Sequence, residues 1–142
     1  MMRKIILGLV VSIVAVGSAH ARSVWDGVYT EDQAARGATA YQQNCGRCHG
    51  PELAGTFEVP PLVGRFVPYW SGSTLDVLVD YITHAMPLGR TGSLSPATNT
   101  DITAFILKSN GFPAGPKELS AQGVDQKAIT FDATKKKRAK KH

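Results

Sequence analysis

Cysteine is nearly absent from this 142-residue chain, and the two present are Cys45 and Cys48. A disulfide between thiols three positions apart would constrain almost no chain entropy, so a stapled secreted scaffold is excluded. Histidine is scarce too. His20, His49, His84 and His142 are the whole set, which argues against a closed four-ligand zinc shell. No apolar run reaches the roughly 20 residues that a membrane span needs. The longest, Ile5 to Val16, supplies twelve. Acid and base are also unevenly placed. Of sixteen Lys and Arg, two lie before residue 5 and six between Lys135 and Lys141. Residues 22 to 134 then hold eight bases against all eleven acids, about −3 for the body. Without a basic stripe through the body, nucleic acid is not an expected partner. No internal repeat is visible.

What the chain does contain is organised around Cys45-Gly46-Arg47-Cys48-His49, the attachment pattern of a c-type haem. On one helical turn the two thiols point the same way, so each can add across one vinyl group of a porphyrin. The imidazole of His49 then falls beneath the iron as the proximal ligand. A thioredoxin-like redox pair would follow a buried strand in a βαβ context, whereas the residues before Cys45 read as helix.

Residues 1–21 read as a signal peptide: Arg3 and Lys4, the apolar stretch, then Ala19-His20-Ala21 as a cleavage site. The rival reading is an uncleaved anchor. With removal of the signal, no stable span is expected and the mature protein starts at Arg22. The stretch 22–29 is a lead. Thr30-Glu31-Asp32-Gln33 should open the first helix, with Thr30 as cap, Gln33 completing a capping box and two acids in the positive first turn. That helix is expected to reach Asn44. Gly37 lies one turn from Tyr41 on the face that leads to Cys45, and a helical glycine suggests close approach by another backbone.

From Gly50 to Pro68 the glycines and prolines predict an irregular loop, with Leu53, Phe57, Val59, Leu62, Val63 and Phe66 as apolar cover for a haem edge. A proximal imidazole needs its second nitrogen held, and the carbonyl of Pro60 or Pro61 could do so. Ser71-Gly72-Ser73 should cap a helix over about 74–84, with Leu75, Leu78, Val79 and Ile82 as its buried stripe. It stops at Met86-Pro87. Met86 is the only methionine after the signal, and its place beside a haem site points to the sixth iron ligand. Core gap-filling is the other use of a methionine, and His84 is the rival ligand. Ser95-Pro96 starts a last helix that buries Ile102, Phe105 and Ile106 and ends at Asn110-Gly111, with Phe105 the natural partner for Gly37 and Tyr41 if the two terminal helices cross. Residues 113–132 read as a surface meander tacked down at Glu118-Leu119 and Ile129 to Phe131. The basic end, 133–142, reads as a solvated tail or an arm for an acidic partner or anionic lipid.

Taken together, Gly37-x-x-x-Tyr41-x-x-x-Cys45-x-x-Cys48-His49, Met86-Pro87 and a later helix with Phe105 resemble a class I cytochrome c over residues 30–112. The resemblance implies an all-α fold of three to five helices around one covalent haem c. Cys45 and Cys48 would be its thioether positions, and His49 and Met86 the axial ligands of its iron. The stretch from Met86 through Asn110-Gly111-Phe112-Pro113 is similar to cytochromes that serve periplasmic quinoprotein dehydrogenases. The expectation is therefore a periplasmic single-electron carrier, not an enzyme, between an exported dehydrogenase as donor and a cytochrome or oxidase as acceptor. Tyr69, Trp70, Arg65 and Arg90 are candidate partners for the haem propionates. The alternative is a haem enzyme or gas-binding protein with an open sixth site, in which Met86 only packs.

Overall fold

The computed structural model describes residues 22–135, so the expected signal peptide and residues 136–142 of the basic tail lie outside the described residues. Helix α1 (Glu31–Asn44) starts where the sequence places it. Thr30 is extended at φ −100°, ψ 158°, and its hydroxyl accepts the Gln33 amide at 3.1 Å, which satisfies one free donor of the first turn. The reciprocal half of the box does not form. Gln33 instead turns into the core, where its side chain donates to the Leu119 carbonyl at 3.0 Å and accepts the Leu119 amide at 2.7 Å.

Five further helices follow: α2 (Gly46–His49), α3 (Phe66–Trp70), α4 (Leu75–Ala85), α5 (Pro96–Ser109) and α6 (Gly123–Lys127). The fold is all-α, with one pair of two-residue strands among the described residues. The central packing is α1 across α5. Gly37 makes it possible, since a Cβ there would stand 1.8 Å from the Asp101 carbonyl oxygen and 3.0 Å from Phe105 Cβ. Tyr41 and Phe105 then meet with ring centroids 5.3 Å apart. At the rim of this crossing Arg36 grips Asp101 through two bonds of 3.0 and 3.1 Å and reaches Glu118 at 2.8 Å. Lys108 pairs with Glu31 nearby.

Three local expectations are revised. Helix α3 forms inside the stretch read as irregular, because Pro68 sits in its first turn, where a missing N–H costs nothing. Helix α4 begins at Leu75 with Thr74 at the cap position, not with the 71–73 serines. Those residues are committed elsewhere: Gly72 N–H donates to the Phe131 carbonyl and Phe131 N–H to the Ser73 carbonyl, both at 2.9 Å.

The third revision concerns the two ends. The segment after Phe112 carries α6 and strand β2 (Ile129–Thr130), which pairs in parallel with β1 (Arg22–Ser23) in the register Arg22 to Ile129 and Ser23 to Thr130. Leu119, Ile129 and Phe131 are buried, with Phe131 packed between Phe112 and Phe66. Trp25 closes the seam by donating its indole N–H to the Asp132 carbonyl at 2.9 Å. Lead and extension thus fasten one side of the core by backbone pairing and apolar burial.

Candidate functional site

Where α1 ends, Cys45 breaks the helix at φ −123°, ψ −36°, while its own N–H still donates to Tyr41 O at 2.7 Å. Its carbonyl accepts both Cys48 N–H at 3.1 Å and His49 N–H at 2.9 Å. One residue therefore ends α1 and holds the turn that carries the other two. Both cysteines are free thiols, Cys45 half-buried and Cys48 exposed. Burial, with the charge of neighbouring Cys48 second, pushes the Cys45 thiol up to about 11.

His49 is buried, and the loop behind it is folded to hold its ring. Gly50 and Gly55 take φ of 79° and 69°, in the left-handed region that side chains avoid. The loop is laced by Gly55 N–H to His49 O at 2.8 Å, Thr56 N–H to Val59 O at 2.8 Å and Leu62 N–H to Leu53 O at 2.8 Å. A Cβ on Gly55 would lie 2.3 Å from the Val59 oxygen, so only glycine permits this return. The return brings the Pro60 carbonyl 2.9 Å from His49 Nδ1. Of the two prolines considered, Pro60 is the one in contact. Nδ1 thus donates to backbone, and Nε2 is left as the nitrogen with a lone pair.

Two contacts with no signal in the residue order brace this region. The Tyr41 hydroxyl donates to Gly50 O at 2.6 Å, and Asn110 at the end of α5 donates to Leu62 O at 2.8 Å. The helical spacing of Tyr41 marked it only as a packing residue. Asn110 marked only a helix end.

Met86 is half-buried just past α4, its N–H donating to Ile82 O at 3.2 Å. His84 faces solvent with its side chain 72% exposed, and its Nδ1 is within 3.1 Å of both an Asp80 carboxylate oxygen and the Asp80 carbonyl. Leu62, Val63, Val67, Trp70 and Leu94 are half-buried and pack against the core. Phe57 and Leu88 are fully or nearly fully exposed. Arg90 reaches Asn44 at 3.3 Å, which ties the loop after Met86 to the end of α1. Tyr69 is exposed and packs on Trp70, which also meets Tyr81, so these rings form a surface cluster. Arg65 occupies the cap position of α3 and is exposed.

The residues fit a covalently held haem. Two thiols one turn apart, an imidazole already oriented through Nδ1 and half-buried apolar side chains suit the attachment, proximal ligation and solubility of such a group. No group of three or more His, Cys, Asp and Glu among the described residues could hold a metal ion by itself.

The chain is similar to known proteins over much of this region. Residues 32–106, more than half of the chain, match the model of the family described as cytochrome c oxidase, cbb3-type, subunit III. A thiosulfate dehydrogenase from Stutzerimonas stutzeri is 30% identical over 106 residues, covering 70% of this chain and 34% of its own. One from Allochromatium vinosum is 30% identical over 88 residues, covering 54% of this chain and 32% of its own. The chain thus spans about a third of the length of these relatives. The crystal structure of the sulfane dehydrogenase SoxCD from Paracoccus pantotrophus matches 75% of this chain and 60% of that one, at 27% identity and a TM-score of 0.46.

Proposed function

The chain belongs to the family of cbb3-type cytochrome c oxidase subunit III domains, and from that membership we propose a periplasmic monohaem cytochrome that carries single electrons from an exported dehydrogenase to a cytochrome or oxidase. Membership implies covalent haem c with iron and an electron-transfer role. The observation that carries the finer reading is the 2.9 Å contact between His49 Nδ1 and Pro60 O. A histidine held there keeps one tautomer and a fixed ring plane, as a permanent axial ligand requires.

In this reading Cys45 and Cys48 hold the porphyrin through thioethers, and His49 Nε2 binds the iron. Met86 supplies the sulfur on the other side, favoured by its half-buried place past α4 while His84 is drawn to Asp80 at the surface. When bound, the haem supplies a one-electron ferrous–ferric couple. The chain does the rest. Leu62, Val63, Val67 and Leu94 exclude water, and exposed Phe57 and Leu88 offer apolar contact for a short-lived partner. Residues 1–21 would be the signal peptide, 22–29 a lead, 30–112 the cytochrome domain, 113–132 an extension and 133–142 a basic tail. The names of the relatives point to a dehydrogenase of inorganic sulfur compounds as the donor class.

The test is the purified mature protein. Colour retained through acid acetone, one haem per chain and the far-red ferric band of sulfur ligation would bear this out. High-spin bands with rapid carbon monoxide binding would favour an open sixth site instead. Electron uptake from a sulfur-oxidising dehydrogenase checks the partner.

A further inference from the structure

Asn99 is 1% exposed, in the second turn of α5. Its Nδ2 donates to Thr83 Oγ1 at 3.0 Å, and that hydroxyl donates to Val79 O at 2.8 Å. This is the only side-chain hydrogen bond between α4 and α5 among the described residues. Thr83 sits in the last turn of α4, where carbonyls have no helical partner. The loop beyond Met86 takes that of Thr83, while Met86 itself caps the helix with its own N–H. Ile82 O accepts Met86 N–H at 3.2 Å, and Thr83 O accepts Gly92 N–H at 3.1 Å. The loop thus leaves and returns at adjacent residues, and Asn99 clamps one of them to α5.

The Oδ1 of the same side chain is buried and accepts no hydrogen bond from the described residues, so the amide is held in place by its one bond to Thr83. Its one bond is therefore directed at the helix that carries the Met86 loop. We propose that Asn99 is a positioning residue for Met86: through Thr83 it holds the mouth of the 86–92 loop against α5 and so keeps the methionine sulfur in place over the iron. The proposal rests on the reading of Met86 as ligand. Fraying of the last α4 turn would release Gly92 and let the loop swing, opening the sixth position to outside ligands.

The experiment compares the haem-loaded parent with N99L, T83V, T83S and M86A, all checked by thermal melts. Ferric samples well below their melting points are scored for the sulfur-ligation band and for the rate of imidazole binding. T83V and N99L should weaken the band and bind imidazole about tenfold faster, the factor expected for loss of one hydrogen bond to a minor open state. T83S keeps the acceptor and should match the parent. If N99L and T83V melt lower but bind imidazole at the parental rate, the role is structural only and the proposal fails. It also fails if T83S behaves as T83V does. A parent without the band, unchanged in M86A, overturns Met86 as ligand, and the clamp with it.

Discussion

A Cβ placed on Gly37 would stand 1.8 Å from the carbonyl oxygen of Asp101, so α1 and α5 touch backbone to backbone at this point. The contact sets where α1 ends and therefore where Cys45 and His49 sit relative to α5. Alanine normally gains about 1 kcal/mol over glycine inside a helix. Here the collision is with backbone, which cannot rotate aside. G37A should therefore destabilise the protein by about 3 kcal/mol, read as a lower melting temperature. An unchanged melt would mean that the two helices can separate freely.

The Met86 and His84 readings divide cleanly by substitution. M86A should abolish the sulfur-ligation band and admit carbon monoxide to the ferrous protein. H84A should leave both spectrum and ligand binding at parental values, because His84 is exposed and engaged with Asp80. A shift of the spectrum in H84A alone would reverse the assignment.

Gln33 holds the extension by two buried bonds to Leu119. Q33A leaves both the amide and the carbonyl of Leu119 unpaired. The expected loss is about 3 kcal/mol, with earlier proteolytic cleavage between residues 113 and 128. Cleavage at the parental rate would show that β1–β2 pairing and Phe131 suffice.

Tyr29 and Tyr41 are both pushed up to about 12 from an ordinary 10.0. Burial is the main cause, with the charge of Glu31 second for Tyr29 and of Cys45 second for Tyr41. Each hydroxyl donates to a carbonyl, Phe112 O and Gly50 O respectively, and a phenolate cannot donate. The folded state therefore holds these protons more tightly than the unfolded chain. Their contribution is intact below about pH 10 and is lost as pH rises toward 12. Chemical denaturation along that range should show falling stability, and Y29F should flatten the fall. In the thioether form Cys45 carries no charge, so the shift of Tyr41 should rest on burial alone.

Little of the site needed the tertiary structure to be suspected, because its chemistry is written over five consecutive residues. A turn of helix places Cys45, Cys48 and His49 whatever surrounds them. The caps of α1 and α5 were readable for the same reason, since Thr30 and Ser95 each bond an amide three residues on. Gln33 misled because its capping geometry competes with a partner 86 positions away, invisible to any local rule. The extension read as a surface meander because each of its apolar residues is isolated in sequence, and burial arises only where Phe66, Phe112 and Phe131 converge.

By itself, then, the order of residues determined the attachment turn and the presence of one eligible methionine, since both follow from helical spacing and composition, while the α1–α5 crossing was implied only by the family resemblance. Which proline faces the imidazole, which of His84 and Met86 turns from solvent, and what pins the loop beyond α4 were decided by the folded chain. Those depend on the direction of single carbonyls and side chains brought together from distant positions, and direction in space is fixed only when the helices pack.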